Sequence, residues 1–327
     1  MLKAVLTGLV AAVLAGCAPI PPQLGRPVTF SEPVAKSSQP LVERGGPLRF
    51  AIIGDRTGGH RPDIFGPALE KLNLMQPELV MSVGDFIEGY SEDVALLDAE
   101  WTEVETMIAR LDAPLFYVPG NHDIGNATML AEWRKRRGPS WYAFRYKDAL
   151  FLVLDTEDPP VVFNPDLMAR SKAMEAAMAR DPVATQARVL DAAKGMAGTP
   201  NPKAPANFSA AQLAFVERAL AEHADAGWTF VFMHKPAWQL GSIEFLQVEE
   251  MLGNRDYTVF AGHEHYYAYE RRRGRDYVDL ATTGGIWLRD GPGRLDHVMW
   301  VTLTEDGPRI ANLDLQGISG KEGPAEK

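Results

Sequence analysis

Asp, Asn and His residues that follow predicted β-strands are the part of this sequence most suited to chemistry. Their carboxylate, amide and imidazole atoms are ligands that divalent metal ions prefer in proteins. They occur in five short motifs, which in chain order are Gly54-Asp55, Gly84-Asp85, Gly120-Asn121-His122-Asp123, Met233-His234 and Gly262-His263-Glu264-His265. One motif of this length is weak, but five in this order predict a hydrolytic site for two metal ions.

The first three motifs follow strands that alternate with helices. The predicted elements are strands at 48–53, 78–83 and 114–118 and helices at 62–74 and 91–111. This alternation is typical of a parallel sheet, in which sites lie at the carboxyl ends of the strands. We therefore expect Asp55, Asp85 and Asn121 to meet at one edge of the sheet.

The second half of the chain mixes such units with hairpins. The predicted elements are an antiparallel pair at 141–146 and 149–154, a helix at 209–223, strands at 228–233 and 256–261, and later strands at 298–304 and 309–315. Ser209, with Gln212 three residues later, fits a helix-capping box. The predicted fold class is mixed α/β, a two-sheet β-sandwich flanked by helices.

Residues 158–208 form a segment that the predicted sheets do not need. Two helices are expected there, at 167–179 and 183–192, separated by Asp181-Pro182 because proline interrupts helices. Two interpretations remain open for this helical insertion. It is either packed on the domain or a mobile cap over the substrate.

Across residues 48–285, the motif series resembles the calcineurin-like metallophosphoesterase superfamily, which includes the purple acid phosphatases. The resemblance implies a two-sheet sandwich with outer helices. It also implies hydrolysis of phosphate monoesters or diesters by attack of a hydroxide that bridges two divalent ions. Manganese, iron and zinc are ions of the expected kind.

The resemblance further implies a role for each motif residue. Asp85 would bridge the two ions, and His122 would face the leaving group, with Asp123 orienting it. The terminal ligands would be Asp55 and His265 for the first ion, and Asn121, His234 and His263 for the second.

The first motif departs from the family pattern. Most members have Asp-x-His there, whereas this chain has Asp55-Arg56-Thr57 and so lacks one ligand of the first ion. A water molecule or one of three side chains could replace it, and a single-metal enzyme is a further possibility. The candidate side chains are His60, Glu88 and Tyr90.

Two basic residues near the motifs, Arg56 and Lys235, are candidates for binding substrate phosphate, although charged loop residues are usually only solvated. Two rivals to a phosphatase remain open. One is a non-catalytic binding lipoprotein with a degenerate site, which the missing histidine favours. The other is a cell-envelope phosphodiesterase that acts on lipid headgroups.

The N-terminus is predicted to be an export signal. Residues 1–16 combine a positive start with a short apolar run, and Leu14-Ala15-Gly16-Cys17 resembles the lipobox of bacterial lipoproteins. That family would cleave before Cys17 and attach lipid to it. Ala18 favours the outer membrane facing the periplasm over the inner membrane. An ordinary secretory signal or a membrane anchor is the alternative.

Composition bounds the remaining possibilities. Cys17 is the only cysteine, which excludes an intrachain disulfide and a thiolate ligand. A net charge of −10 argues against nucleic-acid binding through a basic face. The predicted organisation is a lipidated Pro-rich tether at 17–47, a metallophosphoesterase domain at 48–318 and a disordered tail at 319–327. The sequence gives no indication of oligomeric state.

Overall fold

The computed structural model describes residues 27–160, 165–195, 205–315 and 319–320. The predicted signal, Cys17, the first part of the predicted tether and the end of the tail lie outside these residues. The strands are β1 (Leu48–Ile53), β2 (Leu79–Ser82), β3 (Leu115–Phe116), β4 (Tyr142–Tyr146), β5 (Ala149–Val153), β6 (Trp228–Phe232), β7 (Tyr257–Ala261), β8 (Ala268–Arg272), β9 (Arg275–Asp279), β10 (His297–Thr304), β11 (Gly307–Asp314) and β12 (Ser319–Gly320).

These strands form two mixed sheets of six strands each, which confirms the predicted fold class. The first sheet has the order β12-β11-β10-β1-β2-β3, and the second has the order β4-β5-β6-β7-β9-β8. Strands β1, β2 and β3 are parallel to one another, as are β5, β6, β7 and β9. The motif residues therefore follow the carboxyl ends of parallel strands in both sheets.

Helices flank the sheets and cross between their strands. They are α1 (Phe65–Met75), α2 (Val94–Ile108), α3 (Asn121–Ile124), α4 (Ala127–Arg137), α5 (Pro165–Arg180), α6 (Pro182–Gly195), α7 (Ala210–Glu222) and α8 (Ile243–Leu252). Helix α2 begins later than predicted because the Asp93 side chain accepts hydrogen bonds from Ala95 N and Leu96 N and so caps it. None of the described helices is long and apolar enough to span a membrane.

Only half of the predicted capping box at α7 is present. Ser209 Oγ accepts a hydrogen bond from Gln212 N, as expected. The Gln212 side chain turns instead to the loop after β5, where Oε1 accepts from Asp155 N and Nε2 donates to Asp155 O. The Gln212 amide is fully buried, and without it the backbone N–H and C=O of Asp155 would lose these partners. Satisfying two buried backbone groups stabilises the fold more than completing the helix cap would.

Aromatic side chains fill the space between the sheets. Phe50 of β1 meets Phe151 of β5 and Phe230 of β6, with ring centroids 5.2 and 4.9 Å apart. All five residues of β5 are buried, since Phe151 faces the other sheet while Leu150 and Leu152 face the outer layer that includes α7 and α8. This double burial explains why β5 is continuously apolar.

Residues 27–47 are not a free tether, which corrects the prediction for this part of the chain. Ser37 N donates to Leu115 O and Tyr117 N donates to Ala35 O, so the segment extends the first sheet beyond β3. Phe30 packs against Phe116 of one sheet and Phe144 of the other. Prolines prevent a helix here, but an extended chain along a sheet edge tolerates them.

The end of the chain also differs from the prediction. Ser319–Gly320 was expected in a disordered tail but forms β12 and pairs with Ala311 and Asn312 of β11. The two helices of the insertion are present as α5 and α6, each slightly longer than predicted. Parts of the insertion at 161–164 and 196–204 lie outside the described residues.

Candidate metal centre

The loops after β1, β2, β3, β6 and β7 bring the predicted ligands together at one edge of the sandwich. Six side chains converge, and five of them are nearly inaccessible to solvent while His263 is half-buried. Ligand atoms of Asp55, Asp85 and His265 all lie within 4.8 Å of one another. The predicted ligands that the structure places in this cluster are Asp55, Asp85, Asn121, His234, His263 and His265.

Three donor atoms gather around Nε2 of His234. Its Nε2 lies 2.9 Å from Asn121 Oδ1, 3.2 Å from Asp85 Oδ2 and 3.2 Å from His263 Nδ1. Donors bound at about 2.1 Å to one shared ion stand about 3.0–3.4 Å apart in octahedral or tetrahedral geometry. These four side chains therefore have the spacing of a coordination shell.

A second, smaller donor group lies beside the first. His265 Nε2 is 3.7 Å from Asp55 Oδ1, and that oxygen is also 3.7 Å from His234 Nδ1. Asp55 Oδ2 is buried and has no hydrogen-bond partner among the described residues. An orphaned buried carboxylate oxygen is costly, and a bound cation would satisfy it. The donor set thus fits divalent metal ions.

Backbone carbonyl groups orient the histidines. His234 Nδ1 donates to Val83 O at 2.7 Å, and His265 Nδ1 donates to Ile286 O. Since a carbonyl only accepts, Nδ1 carries a hydrogen in both rings and Nε2 is the nitrogen that faces the cluster. Metal-binding histidines are commonly held in this way, so both rings are prepared to act as Nε2 ligands.

Glycines allow the close approaches in this cluster. A Cβ atom on Gly120 would stand 2.1 Å from Asp85 Oδ1, and one on Gly84 would stand 2.8 Å from His234 Nδ1. Asp85, His263 and His265 themselves have positive φ values, which are uncommon for residues with side chains. Backbone strain of this kind concentrates at functional sites, where it aims side chains at a ligand.

Burial affects the two carboxyl groups of the cluster differently. Burial and the neighbouring His265 and His234 act in opposite directions on Asp55, and burial wins and raises its pKa. Burial also opposes ionisation of Asp85, but His234 and His122 hold its pKa well below the usual range. A cation would favour ionisation of both carboxyl groups.

His234 and His263 have pKa values shifted in opposite directions. Burial disfavours charge on His234, yet Asp85 and Asp55 raise its pKa to about 9. Burial and the neighbouring His234 lower the pKa of His263 well below its ordinary value. Neutral imidazole is the form that binds metal, so His263 is already in that form, whereas His234 must lose its proton when a metal binds.

Asp123 does not orient His122, which corrects the sequence-based role. Its carboxylate accepts hydrogen bonds from the backbone of Asp85, Phe86 and Gly120, and therefore shapes the loop that carries Asp85. His122 Nδ1 donates instead to Glu88 O at 2.8 Å. Among the described residues, no hydrogen bond joins Asp123 to the His122 ring.

None of the three candidate replacement ligands is directed at Asp55 by a described contact. Glu88 accepts hydrogen bonds from Gly59 N and His60 N and so binds the loop after the first motif. The His60 side chain, 39% exposed, pairs with the same carboxylate at 3.2 Å. Tyr90 OH accepts from Asn121 Nδ2 at 2.5 Å and so lies beside the larger donor group around His234.

Gly58 lies where the loop passes the incomplete ligand set. A Cβ atom on this residue would stand 3.2 Å from His265 Nε2 and 3.6 Å from His122 Nε2. The main chain, rather than a side chain, therefore borders both rings. Sequence reasoning missed Gly58, although two consecutive glycines after a strand-end Asp are a signal for close backbone approach.

The two predicted phosphate-binding residues have structural partners. Arg56 is buried and donates to Phe86 O at 2.9 Å while pairing with Glu103. Lys235 is buried as well, with Nζ 2.5 Å from Glu157 Oε1 and 3.2 Å from Pro205 O. The charged groups of Arg56 and Lys235 are therefore occupied by these partners. The structure does not support the prediction that they bind substrate phosphate.

A strap that the sequence analysis missed, residues 283–287, encloses the smaller donor group of Asp55 and His265. Thr283 N and Gly285 N both donate to Asp55 O at 3.0 Å, and Ile286 O accepts from His265. A Cβ atom on Gly285 would stand 2.5 Å from Thr57 O. The signal in the sequence was the pair Gly284-Gly285 a few residues after β9, since paired glycines favour close backbone approach.

A profile of the calcineurin-like phosphoesterase family matches residues 48–267, which is more than half of the chain. The chain belongs to the calcineurin-like phosphoesterase family. Membership in this metallophosphoesterase family, together with the buried Asp55, Asp85 and His265 group, implies divalent metal ions and metal-dependent hydrolysis of phosphoesters. No curated protein gives a significant match to the chain.

Solved structures share the fold of this family at low sequence identity. A dimetal phosphatase from Danio rerio has 16% identity and a TM-score of 0.56, with 84% of this chain and 97% of that chain covered. GAP50, the anchor in the inner membrane complex of Plasmodium, has 14% identity and a TM-score of 0.53, with 86% and 91% covered. PhoD has 10% identity and a TM-score of 0.53, with 92% and 74% covered.

Proposed function

We propose that this protein hydrolyses phosphate monoesters or diesters with two divalent ions bound around Asp85. One observation carries the proposal. Asp85 Oδ2 stands 3.2 Å from His234 Nε2 in the larger donor group, and the same carboxylate lies within 4.8 Å of Asp55 and His265 in the smaller one. A carboxylate between two adjacent donor groups is suited to bridging two ions.

Each donor group receives one ion in this proposal. Asp55 and His265 hold the first, and three side chains hold the second, with Asp85 shared. The ligands of the second ion are Asn121, His234 and His263. Asn121 is held for this role because Tyr90 accepts from its Nδ2, leaving Oδ1 toward the cluster.

Bound divalent ions would supply an activated water and neutralise charge on the phosphate oxygens. The protein's own contribution is to place His122 beside that point. Its Nδ1 is occupied by Glu88 O, which leaves Nε2 directed toward Gly58 and His265. The Tyr90 ring, whose centroid is 4.3 Å from that of His122, limits its rotation. When protonated, His122 Nε2 donates its proton to the departing oxygen.

The first ion has the poorer ligand set. Asp55, His265 and Asp85 provide three protein ligands, and Gly58 offers only backbone where a side chain would reach the ion. Open positions on this ion remain for water or a substrate oxygen. The rival interpretation, a non-catalytic binding protein, has this incomplete set in its favour. The oriented His122 favours the enzyme, since pure binding does not need a proton donor.

Metal-dependent cleavage of model substrates tests the proposal. Metal-free protein would be supplied in turn with manganese, iron, zinc, cobalt and nickel, and offered an aryl phosphate monoester and a bis-aryl diester. We expect hydrolysis with about two ions bound per chain, and the ratio of the two rates separates a phosphatase from a phosphodiesterase. Less than one ion bound and no hydrolysis with any metal would reject the enzyme.

The substitution Asp85→Asn tests the bridging role of this carboxylate. Removing the bridging charge should lower activity by about 10²–10³-fold and reduce bound metal, because the amide cannot bridge two ions as a carboxylate does. Asp98→Asn, on the exposed side of α2, changes the same charge far from the centre and should leave both measurements unchanged. Full activity in Asp85→Asn would contradict the bridging role.

We further propose that the protein is exported and held on a membrane by lipid on Cys17. The support is the sequence Leu14-Ala15-Gly16-Cys17 after a short apolar run. Lipid on one residue would place the domain at the membrane surface, with the outer membrane favoured by Ala18. Cys17→Ser should move the protein into the soluble fraction, and unchanged membrane fractionation would reject the lipobox.

A further inference from the structure

Helix α6 of the insertion is bonded to the backbone of the strap at 283–287, which encloses the smaller donor group of Asp55 and His265. Gln186 uses both ends of its side-chain amide for this contact. Its Oε1 accepts from Trp287 N at 2.9 Å, and its Nε2 donates to Trp287 O at 2.9 Å. Gln186 is 8% exposed, so these bonds are largely protected from competition by water.

The same peptide group is bonded to His265 on its other side. The peptide that joins Ile286 to Trp287 accepts from His265 Nδ1 at its oxygen and donates to Gln186 Oε1 at its nitrogen. A continuous hydrogen-bonded chain thus runs from α6 through one peptide to the imidazole. Successive bonds in such a chain polarise one another, and they fix the plane of the ring at its far end.

Packing around this peptide removes alternative positions for the strap. Arg61 lies over the Trp287 ring at 3.9 Å from the centroid, and Arg294 lies over it at 4.8 Å. A Cβ atom on Gly59 would meet Met178 Cγ at 3.4 Å and Ile286 Cβ at 3.5 Å, which places α5 against the same strap. The described part of the insertion is therefore packed on the domain at this point.

We propose that Gln186 is a positioning residue that orients His265 through the Ile286–Trp287 peptide and thereby sets the affinity of the first ion. The proposal rests on the proposed function in taking His265 as a ligand. The first ion depends on this support more than the second, because its ligand set is the incomplete one. In this proposal the insertion supports the metal centre, because the Gln186 side chain holds the backbone of the strap at Trp287.

Substitution of Gln186 separates this role from general stability. Gln186→Met fills a similar volume without either hydrogen bond, and Gln186→Leu is a second apolar replacement. Thr185→Val is the matched control. Thr185 is its buried neighbour, and its Oγ1 bonds Ala177 O within the insertion, so this change weakens the insertion without reaching the peptide at 286–287.

Two readouts apply to these variants. Proton–nitrogen NMR correlations of the imidazoles in the metal-free protein report which nitrogen of His265 carries the hydrogen. Calorimetric titration with Mn²⁺ reports the affinity of each ion. We expect Gln186→Met and Gln186→Leu to shift the His265 Nδ1 signals and to weaken one of two Mn²⁺ affinities about tenfold. Thr185→Val should leave both within twofold of the parent protein.

The outcomes distinguish this proposal from the proposed function. Unchanged His265 signals in the Gln186 variants, or equal losses in Thr185→Val, would overturn the positioning role whether or not metal binds. Absence of binding of Mn²⁺ and of each of the other four metals by the parent protein would instead overturn the proposed function, and the His265 signals of the metal-free protein would still decide whether Gln186 orients the ring.

Discussion

At the scale of single residues, the centre is built as much by main-chain atoms as by the ligands themselves. His122, His234 and His265 each have one ring nitrogen bonded to a backbone carbonyl. These bonds decide which nitrogen faces the cluster before any metal arrives. The carbonyl groups belong to loops from both sheets, so the orientation of each ring depends on how the loops pack together.

His122→Ala tests the proposed division between ligands and the proton donor. Turnover should fall by about 10²–10⁴-fold, and most for substrates with poor leaving groups, because these need protonation in the transition state. Bound metal should remain as in the parent protein, since His122 bonds Asp85 only through its backbone nitrogen. Steady-state kinetics and metal analysis provide the two measurements. Loss of metal would place His122 among the ligands.

Gly58→Ala tests the close approach of the first loop. Its φ is +85°, and the added Cβ would stand 2.8 Å from His265 Cε1. We expect displacement of the ring and Mn²⁺ binding to the first ion's site weakened about tenfold or more. Gly138→Ala is the control, since its φ is +87° with nothing within 4 Å. It should cost about 1 kcal/mol of stability and leave metal affinity unchanged.

At the scale of elements, the segment at 27–47 closes one side of the sandwich. Strand β3 has only two residues and would otherwise leave the first sheet with an open edge. Ala35 and Leu41 are fully buried there, and Phe30 bridges the two sheets. An exposed edge invites pairing with other chains, so a covering segment protects this sheet edge as well as the core.

Leu41→Ala tests whether this segment is part of the folded unit. Leu41 is 1% exposed, so truncation should cost about 2–4 kcal/mol of unfolding free energy. Leu74→Ala, at a site 85% exposed, should change it by less than about 0.5 kcal/mol. Urea unfolding midpoints at constant slope compare the two. Equal midpoints would restore the interpretation of 27–47 as a free tether.

At the scale of the whole molecule, the fold gathers three buried carboxyl groups, those of Asp55, Asp85 and Asp123, around one histidine-rich site. Asp55 and Asp85 lie beside His234, and burial and Asp85 raise the pKa of Asp123 to about 7. In the metal-free protein His234 is the group that gains a proton, with a pKa of about 9 despite its burial. Metal binding therefore changes how stability depends on pH.

Thermal unfolding at pH 6.5 and pH 9, with and without Mn²⁺, tests this dependence. The folded-state pKa of His234 is raised, so its charge stabilises the metal-free protein below about pH 6.5. That contribution is lost as pH rises through about 9. With Mn²⁺, binding strengthens as the ring loses its proton, so stability should hold or rise. Parallel melting curves in both conditions would contradict this linkage.

Much of the candidate centre could be predicted from the sequence because short local patterns encode it. An apolar strand followed by a polar residue places that residue at a strand end, and parallel strands bring such ends together. Asp55, Asp85, Asn121, His234 and His263 were found in this way. The outer carboxylate Asp123 was found too, but with the wrong partner, because its contacts are to backbone groups that no pattern records.

The sequence by itself determined the family, the sandwich of two sheets and the residue types at the centre. These follow from local hydrophobic patterns and from motif order along the chain. Tertiary structure alone decided that Gly58 borders His265, that Arg56 and Lys235 have internal partners, and that Gln186 reaches the strap. Such contacts join residues far apart in the chain, and only the packing of the two sheets and the insertion brings them within a few ångströms.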